Sequence, residues 1–210
     1  MQIDITQFLG NATRRITSQT YEGQNVRVLT IERVYPTSRD DLWDALTNPA
    51  RIPNWFLPIS GNLELGGRYQ FEGNAGGEIL ECDPVNRFRV TWEFGGQVSW
   101  VVITLAPADD ETKLTLEHSA CVPDEMWKEY GPGAVGIGWE FGLYGLAKHL
   151  MTGGMVAGAD GMAWMMSDEG KSYTRQTSQY WADASIAFGT PSDEANAAAE
   201  RTTKAYTGEA

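Results

Sequence analysis

Acid–base chemistry near neutral pH needs a group that titrates there, and this chain of 210 residues has two histidines, His118 and His149. His118 ends an alternating run in which Leu114, Leu116 and His118 fall on one face and Lys113, Thr115 and Glu117 on the other. An inward imidazole there can serve as general acid or base, with Glu78 or Tyr69 as its partner. The leading reading, since no partner is evident in the sequence, is a structural histidine bonded to the backbone near a strand end. Glu78 points inward only if Leu80 and Cys82 do, and both registers of Glu78 to Asp83 contain an apolar residue and an acid, so the parity stays open. His118 is therefore the one catalytic candidate, and no catalytic residue is assigned. Cys121 lies three residues from His118 without a second pair to complete a ligand set, so no metal is expected. Gly131-Pro132-Gly133-Ala134-Val135-Gly136 fits G-x-G-x-x-G ahead of a helix, but Met126 to Tyr130 stands where a strand of a parallel unit is required. No dinucleotide, and no other cofactor, is expected.

The elements that would position these groups follow from periodicity. Residues 3–9 suit a short helical turn. Arg14 to Thr20 and Val26 to Tyr35 read as strands around Glu22-Gly23. Ser38 caps a helix over Arg39 to Thr47, and a shorter turn carries Ile52, Trp55 and Phe56. Between Leu63 and Ser119 the period is two. A run through Leu63, Leu65, Tyr69 and Phe71 bends at Gly66-Gly67, and Glu78 to Asp83, Arg87 to Phe94, Val98 to Leu105 and Lys113 to His118 follow. Phe88, Val90, Trp92 and Phe94 share a face, as expected of an antiparallel meander with one solvated side.

The cover for the other side is the helix Gly131 to Met151, with Trp139, Leu143, Leu146 and Leu150 in an apolar stripe. Gly136, Gly138, Gly142 and Gly145 lie along it, and each interior glycine costs about 1 kcal/mol relative to alanine. That cost implies that a sheet, another helix or a ligand approaches the backbone closely. After Thr152, Asp160 to Met166, Asp168 to Phe188 and Pro191 to Tyr206 read as further helices, the last with Thr190 as cap and Pro191 at its first position.

A net charge of −12 argues against nucleic acid or an anionic lipid surface as partner. No run reaches 18 apolar residues, so no membrane insertion is expected. The opening MQIDITQFLG has no basic segment before an apolar run and does not read as a signal peptide. Two cysteines make no disulfide framework, which suits a cytoplasmic setting.

In order, Ile31-Glu32-Arg33-Val34-Tyr35-Pro36, Leu42 to Pro49 and Trp55-Phe56 resemble the opening of the family named for the activator of the heat-shock protein 90 ATPase, within the START-like (SRPBCC) superfamily. Gly66-Gly67-Arg68-Tyr69, Gly77 to Pro84, Val90 to Glu93 and Thr112 to Ser119 continue the resemblance. It implies an α+β helix-grip fold, a curved antiparallel sheet wrapped on a long helix. Residues 26–151 would form the START-like domain, 1–25 an N-terminal turn and hairpin strand, and 152–210 a helical extension of the kind seen in a bacterial subgroup. Such folds commonly hold an apolar ligand between sheet and helix. Tyr69, Phe71, Trp92, Phe94, Trp100, His118, Trp139 and Leu143 would line that space, with Trp55 and Phe56 at its mouth and Glu78 inward in one register; the same aromatics would otherwise simply fill a core. Binding of a small apolar or aromatic molecule leads. A co-chaperone-like interaction module and a cyclase- or hydrolase-type enzyme are the alternatives, and a homodimer contact through the extension is a further option.

Overall fold

The structure, a computed structural model, describes residues 3–21, 23–155 and 159–209. Glu22, expected in the first hairpin turn, lies outside them. Helix α1 (Ile5–Gly10) is capped by Asp4, whose carboxylate accepts the Gln7 N–H at 2.8 Å. Strands β1 (Thr13–Tyr21) and β2 (Gln24–Tyr35) follow as an antiparallel pair. Ser38 caps α2 (Arg39–Thr47) as its position predicts, and Ile52–Asn54 forms a 3₁₀ turn.

Six more strands complete the sheet: β3 (Ile59–Gly61), β4 (Arg68–Phe71), β5 (Gly76–Asp83), β6 (Arg87–Phe94), β7 (Gln97–Ala108) and β8 (Glu111–Ala120). Their order is β1-β2-β8-β7-β6-β5-β4-β3, antiparallel throughout. The sequence run from Leu63 to Phe71 is not one strand. Gly66, at a φ of +77°, turns the chain before β4, and Leu65 projects into solvent. The short β3, not expected from the sequence, pairs with β4.

Helix α3 (Asp124–Tyr130) also went unpredicted; Gly131, at a φ of +60°, separates it from α4 (Gly133–Thr152), the long helix on the sheet. Helices α5 (Ala159–Met166), α6 (Asp168–Phe188) and α7 (Ser192–Thr207) form the C-terminal layer. Pro191 flanks α7, so that helix starts one residue later than Thr190 and Pro191 suggest. Because α6 packs against both α4 and β1, α4 is enclosed on two sides and buried almost all round.

That enclosure explains two features of α4. At Gly136 a Cβ would overlap the indole of Trp181 from α6, so the missing side chain is the seat of a tryptophan. One turn on, Glu140 is fully buried. Its Oε1 meets Arg14 Nε at 2.5 Å and its Oε2 lies 4.0 Å from Arg33 Nη2. Arg14 also donates to the carbonyls of Leu9 and Ala12, and Arg33 to that of Phe8, whose ring it covers at 3.4 Å. The Tyr173 hydroxyl of α6 donates to the Glu140 carbonyl at 2.8 Å. The N-terminal hairpin, the long helix and the C-terminal layer thus meet at one buried residue, Glu140, the first through its carboxylate and the last through its main-chain carbonyl.

Candidate functional site

Between the sheet and α4 lies a cavity of about 300 Å³. Its sheet wall is built by alternation. Phe88, Val90 and Trp92 of β6 face inward together, and Val101, Ile103 and Leu116 form the floor where β7 and β8 pair in register Ile103↔Leu116. Tyr69 and Phe71 of β4 extend the wall, and Trp43 of α2 closes one side. From α4 come Trp139, Gly142 and Leu143, spaced three and four residues apart and so on one helical face.

The mouth segment, Trp55-Phe56, seats directly on helix backbone. A Cβ at Gly145 would stand 2.5 Å from the Trp55 carbonyl oxygen, and one at Gly142 3.4 Å from the Phe56 ring. The glycines of α4 are thus explained by close approach, from Trp181 on one side and this segment on the other. The Trp55 indole N–H donates to the Ala45 carbonyl at 2.9 Å, tying the mouth to α2. Phe56, Phe71, Trp92 and Trp139 form a chain of rings, with centroids 5.0, 5.7 and 4.8 Å apart in that order.

Seven of the residues singled out from the sequence therefore meet at one cavity: Trp55, Phe56, Tyr69, Phe71, Trp92, Trp139 and Leu143. Four do not line it. Phe94 has the inward parity but sits at the last residue of β6, past the cover of α4, and is 60% exposed. Trp100 alternates with Val101 and Ile103 and so lies on the outer face, its ring 4.3 Å from that of Tyr21. Glu78 is excluded by a bulge between Ile79 and Glu81. The extra residue lets both Ile79 and Cys82 line the cavity, while Glu81 turns out to Arg87 and Arg89 and Glu78 stays off the wall. The uniform alternation assumed for this strand fails there.

His118 is inward and buried, but stands behind the wall. The indole N–H of Trp139 donates to its Nδ1 at 2.9 Å, and its Nε2 lies 2.8 Å from Ser99 Oγ. The Ser99 hydroxyl donates to the Trp92 carbonyl at 3.0 Å, so Nε2 must carry the imidazole proton. These contacts fix a neutral tautomer and a structural role, holding Trp139 upright. Burial pushes the imidazole pKa down to about 4. The Tyr69 hydroxyl, proposed as its partner, donates instead to the Thr91 carbonyl at 2.6 Å. Among the described residues, neither carboxylate nor phenol joins His118 in an acid–base pair.

This burial predicts a pH dependence. In the unfolded chain the imidazole takes up a proton near pH 6.5, in the fold only near 4, so the unfolded state binds more protons between those values. Stability accordingly falls as pH falls through that window, by on the order of 3 kcal/mol from this group. On acidification from pH 7 to 4, His118→Gln should lose about 3 kcal/mol less unfolding free energy than the parent in urea titrations. Equal losses would count against a neutral buried imidazole.

Residues that the sequence reading passed over include Trp43, Phe88, Val90, Ile79, Cys82 and Val101. Phe88 and Val90 carried a signal, since they share the face of Trp92; Ile79 and Cys82 carried none, because the bulge is not written in residue type. A second hollow, of about 250 Å³, lies among α3, α6 and α7 around Trp127, Trp181 and Phe188. Among the described residues no group of three or more His, Cys, Asp or Glu is placed to hold a metal ion, and no helix is long and apolar enough to cross a membrane.

The model of the family described as Activator of Hsp90 ATPase homolog 1-like protein matches residues 36–151, more than half of the chain. The chain belongs to that family. Every cavity-lining residue falls inside the matched segment. Among solved structures, the chain is similar to CalU16 from Micromonospora echinospora at 29% identity. In the solution structure the likeness covers 85% of this chain and 97% of that one with a TM-score of 0.70, and in the crystal structure 82% and 97% with 0.66. That coverage reaches beyond the family segment. MLL2253 from Mesorhizobium loti is 27% identical over 60% of this chain and 97% of its own, with a TM-score of 0.53. DynU16, described as a protein of the dynemicin biosynthetic locus, shares the fold at 24% identity over 63% of this chain and 50% of its own, with a TM-score of 0.54. No curated protein matches the chain. Family and neighbours agree on the START-like α+β helix-grip fold.

Proposed function

We propose that the protein binds a small apolar or aromatic molecule in the cavity between sheet and α4. The observation that carries this reading is a cavity of about 300 Å³ whose walls are almost wholly aromatic and aliphatic. Tight interior packing would have filled it, and a few polar groups among apolar walls are what small-molecule sites present. Residues 26–151 form the binding unit in this reading, with 1–25 and 152–210 bracing it. A cytoplasmic setting fits the two exposed free thiols, Cys82 and Cys121.

The test is a thermal-shift screen against fatty acids, aromatic polyketides, sterols and flavonoids. A ligand at 100 times its Kd stabilises the fold by about 2.7 kcal/mol, a clear shift in Tm. Val101→Trp, which fills the floor of the cavity, is expected to abolish that shift while the protein still melts cooperatively. A shift that survives Val101→Trp would place the ligand elsewhere, and a broad screen without any shift would overturn the reading.

A further inference from the structure

Resting on that reading, we infer that the ligand is uncharged, carries a ring system and presents a hydrogen-bond acceptor, such as a carbonyl or ether oxygen, to the indole N–H of Trp43 or Trp92. The first ground is charge. Among the described residues, no Asp, Glu, Lys, Arg or His lines the cavity. A carboxylate entering it would leave water with no cation to meet, in a protein whose net charge is already −12. An ammonium group would find aromatic faces but no carboxylate, and a cation–π contact returns less than desolvation takes.

The second ground is which polar side chains still have hydrogen-bonding capacity. Most donors in the wall are committed to the protein itself. The Tyr69 hydroxyl donates to Thr91 O at 2.6 Å, the Thr47 hydroxyl to Trp43 O at 2.8 Å, the Trp55 N–H to Ala45 O and the Trp139 N–H to His118. Burial raises the Tyr69 phenol pKa, so this group stays protonated and adds no charge. Trp43 and Trp92 differ: among the described residues, neither indole N–H has an acceptor. Nor are they sealed off as the Trp181 N–H is, which is both buried and unpartnered. An indole nitrogen donates and cannot accept, so these two groups select an acceptor and offer nothing to a ligand donor.

The third ground is shape. Trp43, Phe56, Phe71, Phe88, Trp92 and Trp139 surround the space, and ring faces gain most from a ligand that also presents a face.

The probes are a matched set on one ring body: fluorene, 9-fluorenone, fluorene-2-carboxylate and 2-(aminomethyl)fluorene. Affinities are read by quenching of tryptophan fluorescence in the full chain. Fluorenone is expected to bind about 3–10-fold tighter than fluorene, the worth of one neutral hydrogen bond. Both charged analogues should bind about 100-fold or more weaker than fluorenone. In Trp43→Phe and Trp92→Phe, which keep a ring but remove the N–H, the fluorenone-to-fluorene ratio should fall toward one in whichever variant removes the donor. A charged analogue within tenfold of fluorenone, or a ratio unchanged in both variants and in their combination, overturns the inference while leaving the cavity as a binding site. If none of the four probes binds, the inference is overturned, while the cavity reading stands or falls on the broad thermal-shift screen.

Discussion

Glu140→Leu is expected to destabilise the protein by about 3–5 kcal/mol, the usual consequence of stranding a buried charge. Here two charges are stranded. Arg14 and Arg33 both reach the Glu140 carboxylate, which has no exposure at all, and their side chains are nearly as deeply buried. Burial already lowers the Arg33 pKa. Without the carboxylate, Arg14 keeps the carbonyls of Leu9 and Ala12 and the ring of Tyr180, and Arg33 the carbonyl and ring of Phe8, none of them an anion. Urea unfolding measures the loss. The combined variant Arg14→Met, Arg33→Met, Glu140→Leu separates charge from packing: with all three charges gone, stability should return to within about 2 kcal/mol of the parent. A single-variant cost below about 1 kcal/mol would mean that water already reaches the site.

The second large effect concerns Trp181, the largest fully buried side chain of α6, seated on Gly136 of α4. Trp181→Ala should cost about 3–5 kcal/mol by leaving a hole between α4 and α6. Gly136→Leu should also destabilise, since its side chain would occupy the space of the indole. Together the two changes should be much milder than their sum, because the leucine fills the hole the tryptophan leaves. A double-mutant cycle by denaturant unfolding reads this as a coupling of about 1–3 kcal/mol in the compensating direction. Additive losses would show that indole and glycine are not each other's complement.

Most of the architecture was legible because it rests on periodicity and caps. Ser38 before Arg39, the alternation of β6 and β8, and the stripe through Trp139 and Leu143 each state their element outright. The glycines of α4 signalled close approach, though not by what; the answer, a tryptophan on one side and a backbone carbonyl on the other, depends on chain segments far away in sequence. Trp100 was misread because β7 carries apolar residues on both faces, so hydrophobicity does not say which face is inner. Its partner Tyr21 comes from β1. Glu78 was undecidable because a bulge shifts parity within one strand. His118 was read correctly as inward, but its meaning lay in Trp139 and Ser99, which no spacing links to it.

The position of β2 bears on how the protein is made. It is the second strand synthesised, yet one of its edges pairs with β8, the last, in the register Arg27↔Ala120 to Tyr35↔Thr112. That closure must bring together residues roughly 80–90 positions apart, the kind of long-range pairing that slows folding to milliseconds or longer. On the ribosome the β1–β2 hairpin therefore emerges with an open edge and waits several seconds for β8 at ordinary elongation rates. During that interval Val26, Val28, Leu29 and Ile31, all buried in the finished fold, are without cover. A chaperone that shields this hairpin during synthesis should therefore raise the soluble yield.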